Sequence, residues 1–307
     1  MLTSKDEHSP DYSPYLALIA VQAFFGSLPV FGKVVLAVIP SFALVGFRVG
    51  ITALILFIFQ LFRKRIWLQH RGDYWRLAVL SIFGVTINQI LFIGGLSLTK
   101  ASNTSLLAVT IPIFTLAVSA IVGSEKLRLI KVIGILLAAL GVIFLIDPRN
   151  ASFSSQTTMG DMMIVLNSLS YGIYVATSKK TITRNGAFRS IMWIFIFASV
   201  ICVPLGIVSL SSVDLIAVSP LIWMFVLYIA IVATFAPYLF NAWALARVSS
   251  STVAVFIYLQ PIIGFILAVI FLDEQIDLKF GIAALLVFTG VFLTIRRSTN
   301  IDKQLTA

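Results

Sequence analysis

Ten runs of mostly apolar residues recur along this 307-residue chain. A helix that crosses a bilayer needs roughly 20 such residues in a row, so each run predicts a membrane span. The predicted bounds are 15–33, 40–62, 75–96, 102–122, 128–146, 160–179, 189–209, 220–244, 251–272 and 278–295. At 60% hydrophobic and 11% charged residues, the chain holds more apolar surface than a water-soluble fold can bury. The expected fold class is therefore all-α, a polytopic membrane protein with ten transmembrane helices.

The second half of the chain repeats the first. With a shift of 149 residues, segment 245–295 aligns with 96–146, and the first and sixth spans align with a shift of 146, whereas the second and seventh spans barely align. The matched pairs are Pro112 with Pro261, Glu125 with Glu274, Gly141 with Gly290, Gly26 with Gly172 and Lys33 with Lys179. Each half has five spans, an odd number, so the two halves enter the bilayer from opposite sides. Inverted repeats of this kind are typical of secondary transporters.

The repeat and the spans together divide the chain. The first five-helix repeat covers 15–146 and the second covers 160–295, with a linker at 147–159 and tails at 1–14 and 296–307. Seventeen of the 22 Lys and Arg residues lie on the side of the two tails and four on the other, while Arg48 lies within a span. Because positive residues collect on the cytoplasmic side, we expect cytoplasmic termini, an external linker and an inner (plasma) membrane location.

The net charge of +10 is explained by this bias, so we expect the bilayer and a small molecule as partners, and no nucleic acid. The first fourteen residues carry Asp6, Glu7 and Asp11 against Lys5, unlike the basic start of a signal peptide. We therefore expect the first span to remain in the mature protein.

Polar residues inside spans are costly and mark candidate functional sites. The predicted substrate-binding residues are Gln22, Arg48, Asn88, Gln89, Asn167, Tyr171, Tyr174, Tyr238, Asn241, Tyr258 and Gln260. Amides, phenols and one arginine can satisfy the amine and carboxylate of a small zwitterion, and aromatic rings can cover its apolar part. The alternative is that these residues hydrogen-bond neighbouring helices to one another.

Five residues leave two interpretations open. Arg48 either binds a substrate carboxylate or is packed between helices beside Gly46 and Gly50, held by helix carbonyls or reaching the outer interface. Pro112 and Pro261 each remove a helical hydrogen bond and mark either a hinge beside the site or a fixed kink. Glu125 and Glu274 end matching spans, as loop anchors or as gating ion pairs.

Missing residue types limit the chemistry. All twelve Asp and Glu lie in tails, loops or span ends, and both histidines lie outside the spans. The absence of acids and histidines from the spans, together with the single cysteine Cys202, argues against a metal site, a cofactor and an intramembrane enzyme. The bilobed repeat favours a carrier over a channel. The hypothesis that follows is a facilitator or exchanger, unless Glu125 or Glu274 couples transport to protons.

An ordered set of motifs carries a family resemblance. It runs through Gly26 and Lys33 in FFGSLPVFGK, Pro40 and Arg48 in PSFALVGFRVG, the stretch GGLSLTKASNTSLL, Pro112 in TIPIFTLAVSAI, Glu125 and Gly141, and then Pro261, Glu274 and Gly290. Across 15–296 the chain resembles the drug/metabolite transporter superfamily, specifically the EamA-type ten-helix exporters. It departs from the pattern in the seventh span, where no arginine matches Arg48.

The resemblance implies export of amino acids or other small metabolites from a bacterial cytoplasm. It places the cavity among the first four helices of each repeat. It also implies that the fifth and tenth helices are peripheral, so the expected assembly is a monomer or a homodimer through them. The polar residues also fit drug-like or nucleoside-type compounds, and that alternative stays open.

Overall fold

The computed structural model describes residues 11–146, 157–263, 266 and 278–296, and it shows a bundle of helices. The helices of the first repeat are α1 (Ser13–Leu36), α2 (Ser41–Phe62), α3 (Arg71–Leu98), α4 (Ala101–Leu107 and Thr110–Ile121) and α5 (Leu129–Ile146). Those of the second are α6 (Thr158–Asn185), α7 (Ala187–Ser209), α8 (Pro220–Leu245), α9 (Ser250–Ile263 in its described part) and α10 (Leu278–Arg296). A 3-10 turn, Leu210–Ser212, follows α7.

Within the described residues, eight helices are long and apolar enough to cross a membrane. The helix α6 is 28 residues long but is not among them, because it carries buried polar residues such as Asn167, Ser168 and Ser170. It also runs six residues past its predicted end at 179. The predicted span 251–272 is described to Ile263 and at residue 266, and the linker at 147–159 begins outside the described residues.

The bundle is apolar on its outside and polar within. Large side chains such as Leu54, Leu136 and Leu285 are 49–68% exposed, whereas Gln22 and Arg48 are at most 1% exposed. A water-soluble protein shows the reverse distribution. The outer surface therefore suits lipid, and the fold is that of a polytopic membrane protein.

Matching backbone irregularities reveal the symmetry of the two repeats. A π-helical turn, Ile82–Thr86, interrupts α3, and a second one, Ile231–Phe235, interrupts α8. The two turns occupy the same positions 149 residues apart. π-helical turns are rare in proteins, and those that occur often lie at functional sites. Their recurrence at matching positions indicates that the two repeats share one backbone structure.

The contact between α5 and α10 obeys the same symmetry. An added Cβ at Gly134 would lie 2.7 Å from the Gly290 carbonyl oxygen, and one at Gly141 would lie 2.9 Å from the Ala283 carbonyl oxygen. Since Ala283 and Gly290 are the repeat equivalents of Gly134 and Gly141, each helix presents the same patch to the other. Small residues that let backbones approach this closely are the usual means of packing helices in lipid.

The helices α2 and α7 cross in the same manner, with Gly46 against Gly206, where an added Cβ on either would lie 3.0 Å from the other residue's Cα.

We call the end of the bundle where α1 begins the proximal end, and the other the distal end. At the proximal end, Asp73 accepts hydrogen bonds from Arg184 and Asn185, which joins α3 to α6.

Candidate functional site

A cavity of about 820 Å³, counted with its open mouth, lies in the middle of the bundle. Helices α1, α2, α3, α4, α6, α8 and α9 contribute to its wall. Nine of the eleven predicted binding residues line it: Gln22, Arg48, Asn88, Gln89, Asn167, Tyr171, Tyr238, Asn241 and Gln260. Apolar side chains, including Phe25, Phe92 and Ile257, complete the wall. The volume suits a small organic molecule.

Tyr238 lies at the centre of the polar wall. Its hydroxyl accepts a hydrogen bond from the Gln89 Nε2 at 2.7 Å. Its own proton can go to the Gly84 carbonyl at 2.9 Å or to the Asn88 Oδ1 at 3.0 Å. The π-helical turn of α3 contains Gly84, so the irregular backbone of α3 provides a carbonyl for this network. Gln89 and Tyr238 are themselves repeat equivalents, and their bond therefore lies at the symmetry axis.

Three further hydrogen bonds, each donated by a side-chain amide, join helices around the cavity. The Nδ2 of Asn241 donates to the Tyr171 hydroxyl at 2.8 Å, and the Nδ2 of Asn167 donates to the Asn88 carbonyl at 2.8 Å. The third bond runs from the Nε2 of Gln260 to the Oε1 of Gln22, also at 2.8 Å. The polar residues therefore line the cavity and also join helices by hydrogen bonds. Their role in binding stays a prediction.

Arg48 is buried on α2 and faces α8. Its Nε donates to the Thr234 Oγ1 at 2.9 Å, and Thr234 lies in the π-helical turn of α8. The neighbouring Gly46 and Gly50 pack on α7 instead, so the close helix contact and the arginine lie on different faces of α2. Arg48 forms no ion pair within the described part of the chain. It is therefore held by a neutral hydroxyl, not by helix carbonyls.

Tyr174 and Tyr258 lie away from this wall. The Tyr174 ring fills the space beside Gly84, where an added Cβ would lie 2.5 Å from the ring. Tyr174 therefore spaces α6 from α3 and makes no contact with the cavity in this structure, although Asn167 and Tyr171 of the same helix line it. Tyr258 borders a smaller neighbouring cavity with Pro261, and its hydroxyl donates to the Val109 carbonyl at 2.9 Å.

Both predicted proline sites coincide with broken helices. In α4 the helix stops at Ala108 and Val109, just before Pro112, as expected from the clash of a proline ring with the preceding turn. In α9 a 3-10 turn, Phe256–Tyr258, lies at the matching place before Pro261. The kinks are present in the structure, and their use as hinges stays a prediction.

A polar cluster around Glu125 lies at the proximal end. Glu125 accepts from the Lys131 Nζ at 2.7 Å, from the Ser251 Oγ at 2.6 Å and from the Ser251 backbone N–H at 2.9 Å. Burial alone would raise the pKa of Glu125, but the charge of Lys131 and the hydrogen bonds from Lys131 and Ser251 outweigh it and lower that pKa. Glu125 thus joins the end of α4 to α5 and to the N-terminus of α9.

Lys131 was missed as a site residue because a lysine at the start of a span is expected to set the orientation of the chain in the membrane. Its spacing of six residues from Glu125 was the available signal. Glu274, the repeat equivalent of Glu125, lies outside the described residues.

Two lysines occupy equivalent positions at opposite ends. The Lys33 Nζ donates to the Thr99 carbonyl at 2.6 Å at the distal end, and the Lys179 Nζ donates to the Val248 carbonyl at 2.8 Å at the proximal end. Each lysine lies in the last part of the first helix of its repeat and binds a carbonyl that follows the third helix. Cations stabilise these carbonyl-rich helix ends. Because both bonds lie within a repeat and both are formed at once, they stabilise each repeat as a unit.

Asp161 is a second residue that sequence reasoning left aside. Its Oδ1 accepts from the Thr99 Oγ1 at 2.6 Å and from the Asn103 Nδ2 at 3.0 Å, and the residue is buried at the distal end. The sequence shows an acid at the start of a helix, which is common and carried no specific signal. The contacts instead make Asp161 a link between α3, α4 and α6.

Two inverted five-helix repeats around one polar cavity define a membrane transporter. The sequence profile of the EamA-like transporter family matches the chain twice, over residues 13–147 and 158–296. The chain therefore belongs to the EamA-like transporter family, within the drug/metabolite transporter superfamily, and each repeat corresponds to one copy of the family's unit.

Curated relatives agree with this assignment. An uncharacterized transporter from Archaeoglobus fulgidus is 25% identical over 281 residues, which is 91% of this chain and 96% of the relative. The uncharacterized transporter YetK of Bacillus subtilis is 25% identical over 291 residues, covering 94% and 88% of the two chains. A crystal structure with 16% sequence identity superposes with a TM-score of 0.75 over 94% of this chain and 99% of that one, which shows the shared fold.

Proposed function

We propose that this transporter exports or exchanges small metabolites, and that amino acids, aromatic ones among them, are its substrates. The observation that carries the proposal is the composition of the cavity wall. Among the described residues that line it, six amides, two phenols and one arginine face apolar and aromatic side chains. Such a wall offers hydrogen bonds to the backbone groups of an amino acid and apolar cover to its side chain.

The symmetry of the repeats supports alternating access around this cavity. Inverted repeats allow one end of a bundle to adopt the conformation of the other by exchanging the roles of the two halves. The Glu125 cluster joins the two repeats through Ser251 at the proximal end. Opening towards the proximal side therefore requires these bonds to break.

The proposal includes the placement of the protein. The excess of Lys and Arg at the proximal end supports cytoplasmic termini in the plasma membrane, with the proximal end facing the cytoplasm. Exposed apolar side chains on α5 (Leu136, Leu140, Phe144) and α10 (Leu285, Phe288, Phe292) leave a face for lipid or for a second copy. A monomer and a homodimer through α5 and α10 are the two assemblies proposed, and the mass of the protein in nanodiscs distinguishes them.

The test is counterflow uptake in proteoliposomes with a panel of labelled amino acids, nucleosides and drug-like cations. A variant carrying Asn167→Ala and Tyr171→Ala is measured alongside, with Tyr12→Ala, an exposed tyrosine outside the cavity, as control. We expect exchange of one class of amino acids, lost in the cavity variant and kept in the control. Exchange of nucleosides or cations alone, by a folded protein, would contradict the substrate proposal.

A further inference from the structure

Two buried polar atoms on the cavity wall have no hydrogen-bond partner within the described part of the chain, Nη1 of Arg48 and Oε1 of Gln89. Arg48 is 0% exposed and Gln89 is 3% exposed. The other described side-chain atoms in this condition are hydroxyls of serines and a threonine that do not line the cavity. Leaving a buried donor or acceptor unpaired is costly, most of all on a charged group, so both atoms point to a ligand.

Charge decides what Arg48 would bind. Among the described residues that line the cavity, it is the sole ionisable group of either sign apart from the two tyrosines. The buried acids Asp73 and Asp161 and the largely buried Glu125 already have partners at the two ends of the bundle. A buried cation without a counter-ion is strongly unfavourable in a membrane protein, and a bidentate carboxylate is the partner that best fits a guanidinium.

The orientation of the Gln89 amide decides what its free end would bind. Its Nε2 donates to the Tyr238 hydroxyl, whose proton is used by the Gly84 carbonyl or the Asn88 Oδ1. The end that remains is therefore the oxygen, which accepts hydrogen bonds and cannot donate. A ligand group that satisfies it must be a donor, as an ammonium group is.

The side chains of Arg48 and Gln89 are both hydrogen-bonded to α8. Arg48 binds Thr234, and Gln89 binds Tyr238, four residues further along that helix. Residues four apart on a helix are neighbours on one face, roughly 5–6 Å from each other. Arg48 and Gln89, which both line the cavity, are thus bound to neighbouring positions of one helix.

We propose that Arg48 and Gln89 form the recognition site for an α-amino acid's charged groups, with Arg48 taking the carboxylate and Gln89 the ammonium; this rests on the proposed function. Tyr238 and Thr234 act as positioning residues, because they orient the two binding groups. Since Nη1 is covered in this structure, the contact forms as the cavity rearranges around the substrate. The site then recognises the zwitterion, whatever the side chain.

The test is equilibrium binding to the purified full-length protein of four matched compounds, in a phenylalanine series and a leucine series. Each series comprises the amino acid, its carboxamide, its deaminated acid and its decarboxylated amine. The wild type should bind the amino acid about 10- to 100-fold more tightly than each analogue that lacks a charged group. Arg48→Met should remove the preference over the carboxamide, and Gln89→Leu the preference over the deaminated acid.

The controls separate this inference from the proposed function. Arg48→Lys keeps the charge and should keep part of the preference, and Arg247→Met, outside the cavity, should keep all of it. If the wild type binds amino acids and Arg48→Met still prefers them over their carboxamides, the recognition site is overturned and the proposed function stands. If the wild type binds the amines alone, both are overturned.

Discussion

The Tyr258 hydroxyl donates to the Val109 carbonyl at 2.9 Å, and the two residues are equivalents in the two repeats. Each lies at the break in its own helix, Val109 in α4 and Tyr258 in α9, three residues before the matching prolines. The broken helices therefore meet at the symmetry axis through the Val109 carbonyl, which lies where Pro112 interrupts the helical hydrogen bonds of α4. A bond at this point links the two elements that an alternating-access motion would bend.

Tyr258→Phe removes this bond and keeps the ring. We expect the protein to fold, with a loss of about 1 kcal/mol in the free energy of unfolding, and the maximal exchange rate to change while the KM stays within about twofold. Tyr228→Phe, which removes a 3.0 Å bond to Ser27 away from the axis, is the matched control. Equal changes in both variants, measured by counterflow, would argue against a special role for the axis.

Glu125→Gln should weaken the proximal closure. The glutamate and Lys131 side chains are 10% and 8% exposed, and breaking a buried ion pair on one side costs about 2–5 kcal/mol. In a Cys202→Ser background, Val253→Cys on the cavity wall should then react faster with an impermeant thiol reagent from the proximal side. Lys126→Gln, an exposed neighbour, is the control. Unchanged reactivity in Glu125→Gln would exclude the cluster as a closure.

The charge exchange Glu125→Lys with Lys131→Glu tests the same contact in the opposite direction. It restores the ion pair but not the hydrogen bonds to Ser251, so we expect partial recovery of the wild-type labelling rate. A double variant that labels as fast as Glu125→Gln would show that the serine contacts, and not the ion pair, hold the end closed.

The pH dependence of exchange should be flat near neutrality. Burial alone would raise the pKa of Glu125, but Lys131 and Ser251 outweigh this effect and lower that pKa below its ordinary value of 4.5. For a carboxyl with a lowered pKa, the stabilisation of the closed state is complete above the ordinary pKa and is lost as the pH falls through the lowered one. Exchange rates of wild type and Glu125→Gln should therefore have parallel profiles from pH 6 to 8. A strict need for a pH gradient, lost in Glu125→Gln, would make Glu125 a proton carrier.

Gly290→Ala should destabilise the packing of α5 on α10. The added Cβ would lie 2.4 Å from the Gly134 carbonyl oxygen, a backbone atom that can move little. Overpacking of this kind costs about 1–3 kcal/mol. Gly281→Ala on the same helix meets nothing within 4 Å and should be neutral or slightly stabilising. Thermal unfolding in detergent gives the comparison, and equal melting temperatures would contradict the packing assignment.

Much of the fold could be predicted from sequence because lipid imposes a simple rule on it. The apolar runs, the odd number per half and the pairs such as Pro112 with Pro261 led to the inverted repeats, and the family membership agrees with them. Helix ends were less predictable. In α6, neighbouring helices bury polar residues such as Asn167 and Ser170. The apolar run in its sequence is therefore shorter than the helix itself.

The candidate site was predictable only in part. Side chains of the right type inside spans, such as Arg48 and Asn241, indicated the cavity, because polar groups in lipid need a reason to be there. Which of them face the cavity depends on helix rotation, and so Tyr174 was placed with Tyr171 although it packs on Gly84. The π-helical turns that position Thr234 and Gly84 leave no recognisable pattern in a single sequence.

Thiol labelling at two equivalent positions tests alternating access most directly. Thr104 and Val253 are repeat equivalents, both line the cavity, and both are 2% exposed in this structure. Thr104→Cys and Val253→Cys, each in the Cys202→Ser background, are labelled in oriented proteoliposomes by an impermeant reagent from either side. If the repeats open the cavity in turn, a substrate gradient should raise the reactivity of one position and lower that of the other. Reactivities that rise or fall together would contradict alternating access around this cavity.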